Sequence, residues 1–279
     1  MRCGFVVAGR SWVILALAAM VAGPGGWRTA EAAEFLPHRA VYDLSLAKTR
    51  SSGNMVRASG KLEFEWADVC TGWTVSQRTR VQMATSEGQT IDFGWSLSAL
   101  ESRDGRRYRF FIRRFNPDGS DEEVRGEARF PAPGARGVAV FHAPESRRVT
   151  LPKGTLFPTA HSLALMEAAA KGELPLWRTM FEGSGDDGRF GVNAALGEAL
   201  AEDAPKGFES PLLRDQKSWR LRLAYFGMDE AVSEPEHEQA LRLYANGIVD
   251  EMLLDYGNFV LRADLSLLEA LPPLDCKVD

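Results

Sequence analysis

Residues 151–161 read Leu-Pro-Lys-Gly-Thr-Leu-Phe-Pro-Thr-Ala-His, which sets one histidine behind two prolines, a glycine and a phenylalanine. An imidazole titrates near neutral pH, so His161 is the first residue to weigh for proton transfer. That chemistry needs a nucleophile for the histidine to deprotonate, or an acid to orient it. The spacing supplies neither. The alternative is structural: His161 sits in the first turn of a helix, bonds a nearby backbone group and fixes that helix in place. On this reading Pro152, Gly154, Phe157, Pro158 and His161 form a structural or groove-lining motif, and no catalytic residue is assigned.

Other chemistries fare no better. His38, His142, His161 and His237 are scattered, with no His-Glu-x-x-His pattern, and isolated cysteines do not make a zinc site. No metal and no cofactor is therefore expected. Gly183-Ser184-Gly185-Asp186-Asp187-Gly188 matches the spacing of a phosphate-binding glycine loop. Two carboxylates would occupy the phosphate slot and no strand-to-helix context surrounds it, so the segment reads as a turn. A Gly-x-Ser-x-Gly nucleophile elbow is missing. The adjacent acids Glu122-Glu123 and Asp186-Asp187 read as solvated edges rather than acid–base pairs.

The cysteines say more. Arg2 and Arg10 precede an uncharged apolar run, Ser11 to Gly23, which Pro24, Gly25 and Gly26 break; Ala30-Glu31-Ala32 follows. A basic start, a short apolar core and small residues at a cut site describe an export signal, residues 1–32, cleaved near Ala32. Cleavage removes Cys3 and leaves Cys70 and Cys276. Two cysteines in an oxidising compartment read as one disulfide, against the alternative of two free thiols. Such a bridge ties the first quarter of the fold to its last residues and, in an open sheet, holds the ends together. Cleavage also removes three arginines and one glutamate, so the formal charge of −5 falls two units further. A mildly acidic chain gives no electrostatic reason to expect nucleic acid or an anionic membrane as partner.

The elements that must position these residues are mostly strands. Tyr42–Leu46, Leu62–Trp66, Ile91–Leu97 and Trp219–Tyr225 alternate apolar and polar residues, and Trp73–Met83 is a long run of β-formers. Asp104-Gly105, Asn116-Pro117-Asp118-Gly119 and Asn246-Gly247 supply tight turns, so Arg107–Phe115 and Glu123–Phe130 form a meander, as do Ala240–Tyr244 and Ile248–Tyr256. Val138–Phe141, Trp177–Phe181, Phe190–Ala194 and Phe259–Leu265 complete the strands; Leu196–Ala204 fits either helix or loop. One helix is expected over Ala160–Lys171, with Thr159 as N-cap, Leu163, Met166 and Ala170 on one face, and Gly172 as the stop. About a dozen or more strands with one or two short helices imply a mainly β fold: a large antiparallel sheet curled into a spiral or broken barrel. It forms a single domain over 33–279, in two halves of about 33–150 and 151–279.

Several segments together resemble the EipB family of cell-envelope integrity proteins, periplasmic proteins of alphaproteobacteria long described as a domain of unknown function. The likeness rests on His38-Arg39-Ala40-Val41-Tyr42, the Cys70 segment, Leu151–His161, Phe181-Glu182-Gly183-Ser184 and Leu271-Pro272-Pro273-Leu274-Asp275-Cys276. It covers essentially the whole chain after the signal. It implies a periplasmic β-spiral whose two halves are joined by a disulfide, here Cys70–Cys276, a role in envelope integrity, and a loose structural likeness to periplasmic lipoprotein carriers; the family pattern establishes no enzymatic activity. The expected function is therefore a non-enzymatic binding or scaffolding protein of the periplasm. Its partner would be a periplasmic protein or a lipid acyl chain; an apolar groove lined by Trp95, Phe110, Phe157 or Trp219 would favour the lipid. The rival reading is a hydrolase of envelope polymer.

Overall fold

The structure is a computed structural model that describes residues 35–50, 54–116, 118–197, 208–228, 234–272 and 274–276. The export signal, residues 1–32, lies outside the described residues. Fourteen strands alternate with tight turns: β1 (His38–Thr49), β2 (Met55–Asp68), β3 (Gly72–Thr85), β4 (Thr90–Ser102), β5 (Arg107–Phe115), β6 (Asp121–Arg129), β7 (Gly137–Ala143) and β8 (Arg147–Leu151) come first. One helix, α1 (Pro158–Lys171), follows. The chain then continues through β9 (Leu176–Phe181), β10 (Arg189–Leu196), β11 (Ser218–Gly227), β12 (His237–Tyr244), β13 (Val249–Asp255) and β14 (Phe259–Ala270).

All fourteen strands join one antiparallel sheet in the order β8-β7-β6-β5-β4-β3-β2-β1-β14-β13-β12-β11-β10-β9. Each strand pairs with its neighbour in sequence except β8 with β9, and β1 pairs with β14, Leu44 opposite Ala263. The first and last strands therefore lie in the middle of the sheet. Its free edges are β8 and β9, which are consecutive in sequence and separated by α1. This is the broken barrel that the strand pattern implied, open at one place.

Alternation does most of the positioning. In β5, Tyr108, Phe110 and Ile112 are buried while Arg107, Arg109, Phe111 and Arg113 are exposed, the signature of a sheet with one packed face. The inward rows build three clusters. One gathers Tyr42, Leu44, Leu62, Val81, Leu261 and Leu265 around the β1–β14 junction. A second gathers Tyr108, Phe110, Phe141, Phe157 and Phe181. In the third, Leu165 and Met166 of α1 pack on Val192, Leu221, Leu223 and Leu241.

Two local expectations are corrected. The helix starts at Pro158 with Phe157 as its N-cap residue, not Thr159, and no side chain of the cap residue bonds the first turn. Its buried stripe is His161, Leu165, Met166, Ala168 and Ala169, whereas Leu163 is half-buried and Ala170 exposed. Tertiary packing chose the stripe here, since the helix is apolar almost all round. The fold also adds β8, Arg147–Leu151, a segment with two arginines in five residues to which the sequence pattern assigns no element. Gly172 does end the helix, at φ +73°, in the left-handed conformation that glycine adopts freely. Leu196 closes β10, and residues 198–204 of the ambiguous Leu196–Ala204 segment lie outside the described residues.

Cys70 and Cys276 form the disulfide, with Cα atoms 5.5 Å apart. It links the two halves in sequence, but it does not hold the ends of the sheet. Cys70 lies in the β2–β3 turn, and the tail after β14 crosses from Leu271, whose N–H bonds Pro37 O at 2.9 Å, to reach it. The turn is fixed from below: Arg103 donates to Cys70 O (3.1 Å) and to Asp68 Oδ1 (2.6 Å) and lies over the Trp73 ring at 4.1 Å. The bridge spans 206 residues, for which chain entropy gives an upper bound of about 5 kcal/mol. Cys70→Ser should lower the melting temperature under oxidising conditions and leave it unchanged relative to wild type under full reduction; an equal deficit in both conditions would place the loss in packing instead.

Candidate functional site

The segment 152–161 closes the gap between the two free edges. Pro152 turns the chain away from β8, and Gly154 takes φ +77°, its N–H bonding Gly134 O at 3.3 Å. Leu156 then runs parallel to β9: its N–H donates to Thr179 O and its carbonyl accepts from Phe181 N–H, both at 2.9 Å. Those two bonds replace a strand ladder. Phe157 follows, wholly buried, with ring centroids 5.1 Å from Tyr108 and 4.9 Å from Phe130. Pro158 occupies the first helical turn, where its missing N–H costs nothing.

The helix start is capped from another strand. Glu101 of β4, 3% exposed, accepts from Thr159 N–H (Oε2, 2.8 Å) and from Ala160 N–H (Oε1, 2.9 Å). Two donors and the positive end of the helix favour the carboxylate. Burial outweighs them and raises its pKa to about 7. Sequence reasoning passed over this residue, although a signal existed. Phe93, Trp95, Leu97, Ala99 and Glu101 share one face of β4, so an acid stands at the end of an inward row.

His161 is 4% exposed, and its Nε2 has no hydrogen-bond partner among the described residues. Desolvation, and then the nearby Arg178 charge, lower its pKa to about 4. The adjacent hydroxyl, Ser162 Oγ, donates to Pro158 O (3.0 Å) inside the helix. The imidazole is thus a neutral, enclosed group on the face of α1 that packs into the fold, and no nucleophile is hydrogen-bonded to it.

The other chemistry-bearing motifs disperse. Gly183–Gly188 forms the β9–β10 turn, where Glu182 N–H and Gly183 N–H both reach Gly188 O. Gly183 has φ +90°, and a Cβ there would meet the Phe110 ring at 2.5 Å, so the glycine serves aromatic packing. Asp187 pairs with Arg189, Glu122 with Arg114 at 3.0 Å and Glu123 with Arg125 at 3.5 Å. Among the described residues no group of three or more His, Cys, Asp or Glu is placed to hold a metal ion.

Of the four residues expected to line a groove, Phe110 and Phe157 lie inside the filled aromatic cluster and Trp219 packs against the α1 cluster. Only Trp95 borders open space. It lines an apolar mouth of about 380 Å³ together with Met55, Met83, Ile91, Phe93 and Phe259, with Arg114 at the rim. This volume falls in the usual range for small-ligand sites, roughly 300–1,000 Å³.

Fold and site together define an open fourteen-stranded antiparallel barrel with a helix-bearing seam and one apolar mouth. A family model described as EipB-like matches residues 29–272, and this chain belongs to that family. It is 29% identical over 252 residues, 88% of each chain, to the cell envelope integrity protein EipB of Brucella abortus (strain 2308). It also resembles the crystal structure of a beta-barrel-like protein of a domain of unknown function from Brucella abortus. That likeness has a TM-score of 0.74 and 26% identity, covering 86% of this chain and 99% of the other. The first of these relatives is named for cell-envelope integrity, which associates the chain with that role, and neither name denotes an enzyme. No helix among the described residues is long and apolar enough to cross a membrane.

Two outcomes test the seam. Phe157→Ala removes a fully buried ring and should cost about 3–5 kcal/mol, read by denaturant unfolding, with new protease cleavage concentrated in 152–157. A folded Glu101 that binds its proton more tightly than the unfolded one loses stability as pH rises. The stabilisation is complete below the unfolded value of 4.5 and is lost by about pH 7, a span worth about 3 kcal/mol. Glu101→Gln lacks this titration. The melting temperature of wild type minus that of Glu101→Gln should therefore increase on going from pH 7 to pH 5; a constant difference would refute the assignment.

Proposed function

We propose that this chain is a non-enzymatic binding protein of the periplasm, exported by residues 1–32 and cleaved near Ala32, that serves envelope integrity by holding an acyl chain in its apolar mouth. The mouth carries the reading. Six apolar side chains from β2, β3, β4 and β14 face one opening, where a soluble protein would ordinarily bury or charge such a surface. Each methylene moved into it from water contributes about 0.8 kcal/mol. Arg114 at the rim suits the polar end of an amphiphile. The family's association with envelope integrity supports the same direction, and the buried state of His161 removes the main support for a hydrolase.

The proposal treats residues 33–279 as one domain whose halves act together, because the mouth draws strands from both. Native mass spectrometry of protein purified from the periplasm should find a copurifying lipid. Ile91→Trp, which fills the mouth without touching the seam, should reduce its occupancy roughly tenfold by excluding two or so methylenes, with little change in melting temperature. A ligand-free wild type that also fails to bind added fatty acid would overturn the acyl reading and leave a protein-scaffolding role as its successor.

A further inference from the structure

A second concavity lies at the opposite end of β4 and β5 from the mouth, where β5 begins and β6 ends. Its volume is about 610 Å³, and its rim carries Asp104, Arg106, Arg107, Arg129, Arg136 and Arg148. Five arginines face one aspartate in a chain whose formal charge is −5. They arrive from the β4–β5 turn, β5, β6, the β6–β7 loop and β8. No basic run in the sequence produces this cluster; the fold assembles it.

The cluster is under-neutralised from within. Arg107 and Arg129 are direct cross-strand partners, a like-charge pairing that destabilises a sheet. Two of the five have internal partners: Arg106 donates to Phe130 O (3.3 Å) and Pro131 O (2.6 Å) and lies 4.0 Å from Asp104, and Arg129 pairs with Glu127. The side chains of Arg107, Arg136 and Arg148 make no hydrogen bond or ion pair among the described residues. Neighbouring surface arginines behave differently, Arg109 lying 3.9 Å from Glu127 and Arg125 3.5 Å from Glu123. The rest of the wall, with Phe130, Pro131 and Val138, brings no acid to the arginines.

We propose that this concavity is a binding site for a phosphate group bearing two or more negative charges, a phosphomonoester or a pyrophosphate. Guanidinium forks match phosphate oxygens in geometry and in charge. One carboxylate would satisfy a single fork and leave the other free guanidiniums repelling each other. A multivalent phosphate engages several at once and removes the repulsion between Arg107 and Arg129. Such a group is carried either by a lipid headgroup or by a soluble molecule. The site shares no residue with the apolar mouth, so either assignment can fail alone.

The test uses the full chain after signal removal, with inorganic pyrophosphate as the soluble probe and phosphatidylcholine vesicles, with or without phosphatidic acid, as the membrane probe. Calorimetry at fixed ionic strength should detect pyrophosphate binding, cosedimentation should depend on phosphatidic acid, or both should hold. The variant Arg107→Gln/Arg136→Gln/Arg148→Gln should weaken whichever binding exists roughly tenfold or more, since each lost bond is to a charged group. Its melting temperature without ligand should be equal to or above that of wild type, because the removed groups have no internal partner. Arg109→Gln/Arg125→Gln, on nearby surface outside the rim, should bind as wild type does. Binding of vesicles alone would assign the phosphate to a lipid, and binding of pyrophosphate alone to a soluble molecule. No binding of either probe by wild type, or equal losses in both variants, would overturn the proposal.

Discussion

The structure depends on how its two free edges are brought together. A fourteen-strand meander whose edge strands are consecutive in the chain would close most simply by pairing β8 with β9. The helix between them prevents this, because α1 must leave the sheet and pack against Val192, Leu221 and Leu241. The closure is instead made by one extended residue, one buried ring and one carboxylate. Leu156 gives β9 two backbone bonds, Phe157 fills the space between Tyr108 and Phe130, and Glu101 satisfies the first helical N–H groups. An unpaired edge is a hazard for any sheet. Here it is covered by the same segment that starts the helix, so loss of the helix position would expose the edge as well.

This arrangement divides labour between the two sides of the barrel. On one side β1 and β14 pair along eleven registered positions, and the Cys70–Cys276 bridge binds the C-terminal tail over the same junction. On the other side the seam has no ladder. Its strength comes from packing and a few buried polar contacts, which are cooperative and so fail together. A covalent tie at the continuous side leaves adjustment of the barrel width to the seam. The mouth lies between these two sides, lined from β2, β3, β4 and β14, and its width follows from both.

Much of the fold was legible because period two survives almost everywhere. Tyr108, Phe110 and Ile112 announce the inward face of β5 as plainly in sequence as in space. Legibility fails where tertiary contacts override local preference. Thr159 looks like an N-cap, yet Glu101, 58 positions earlier, does the capping. The short β8 hides because Arg147 and Arg148 resemble a loop, although arginines on an edge strand are a common guard against aggregation. In β13 a register shift sets Asp250 and Glu251 together opposite Arg242, which breaks alternation and buries two acids that sequence places on a surface. The cysteine count gave the bridge correctly, but only strand order reveals that it ties the C-terminal tail to the β2–β3 turn and not the two sheet edges to each other.

The same contrast governs the sites. His161 and the glycine-rich turn drew attention because their residue types carry chemistry; His161, like the overlooked Glu101, proves to be enclosed at the seam, and Gly183 of the turn serves aromatic packing. The surfaces that remain uncommitted are built from ordinary residues: methionines and an isoleucine at the mouth, and arginines far apart in sequence at the opposite end. Neither forms a motif, since both are made by convergence of strands that a linear reading keeps separate. Net charge misleads for the same reason. A chain with formal charge −5 can still concentrate five arginines around one concavity, because the sheet sorts its outward residues by strand register and not by their order in the chain. In this open barrel the packed interior stabilises, and both proposed sites fall at its ends.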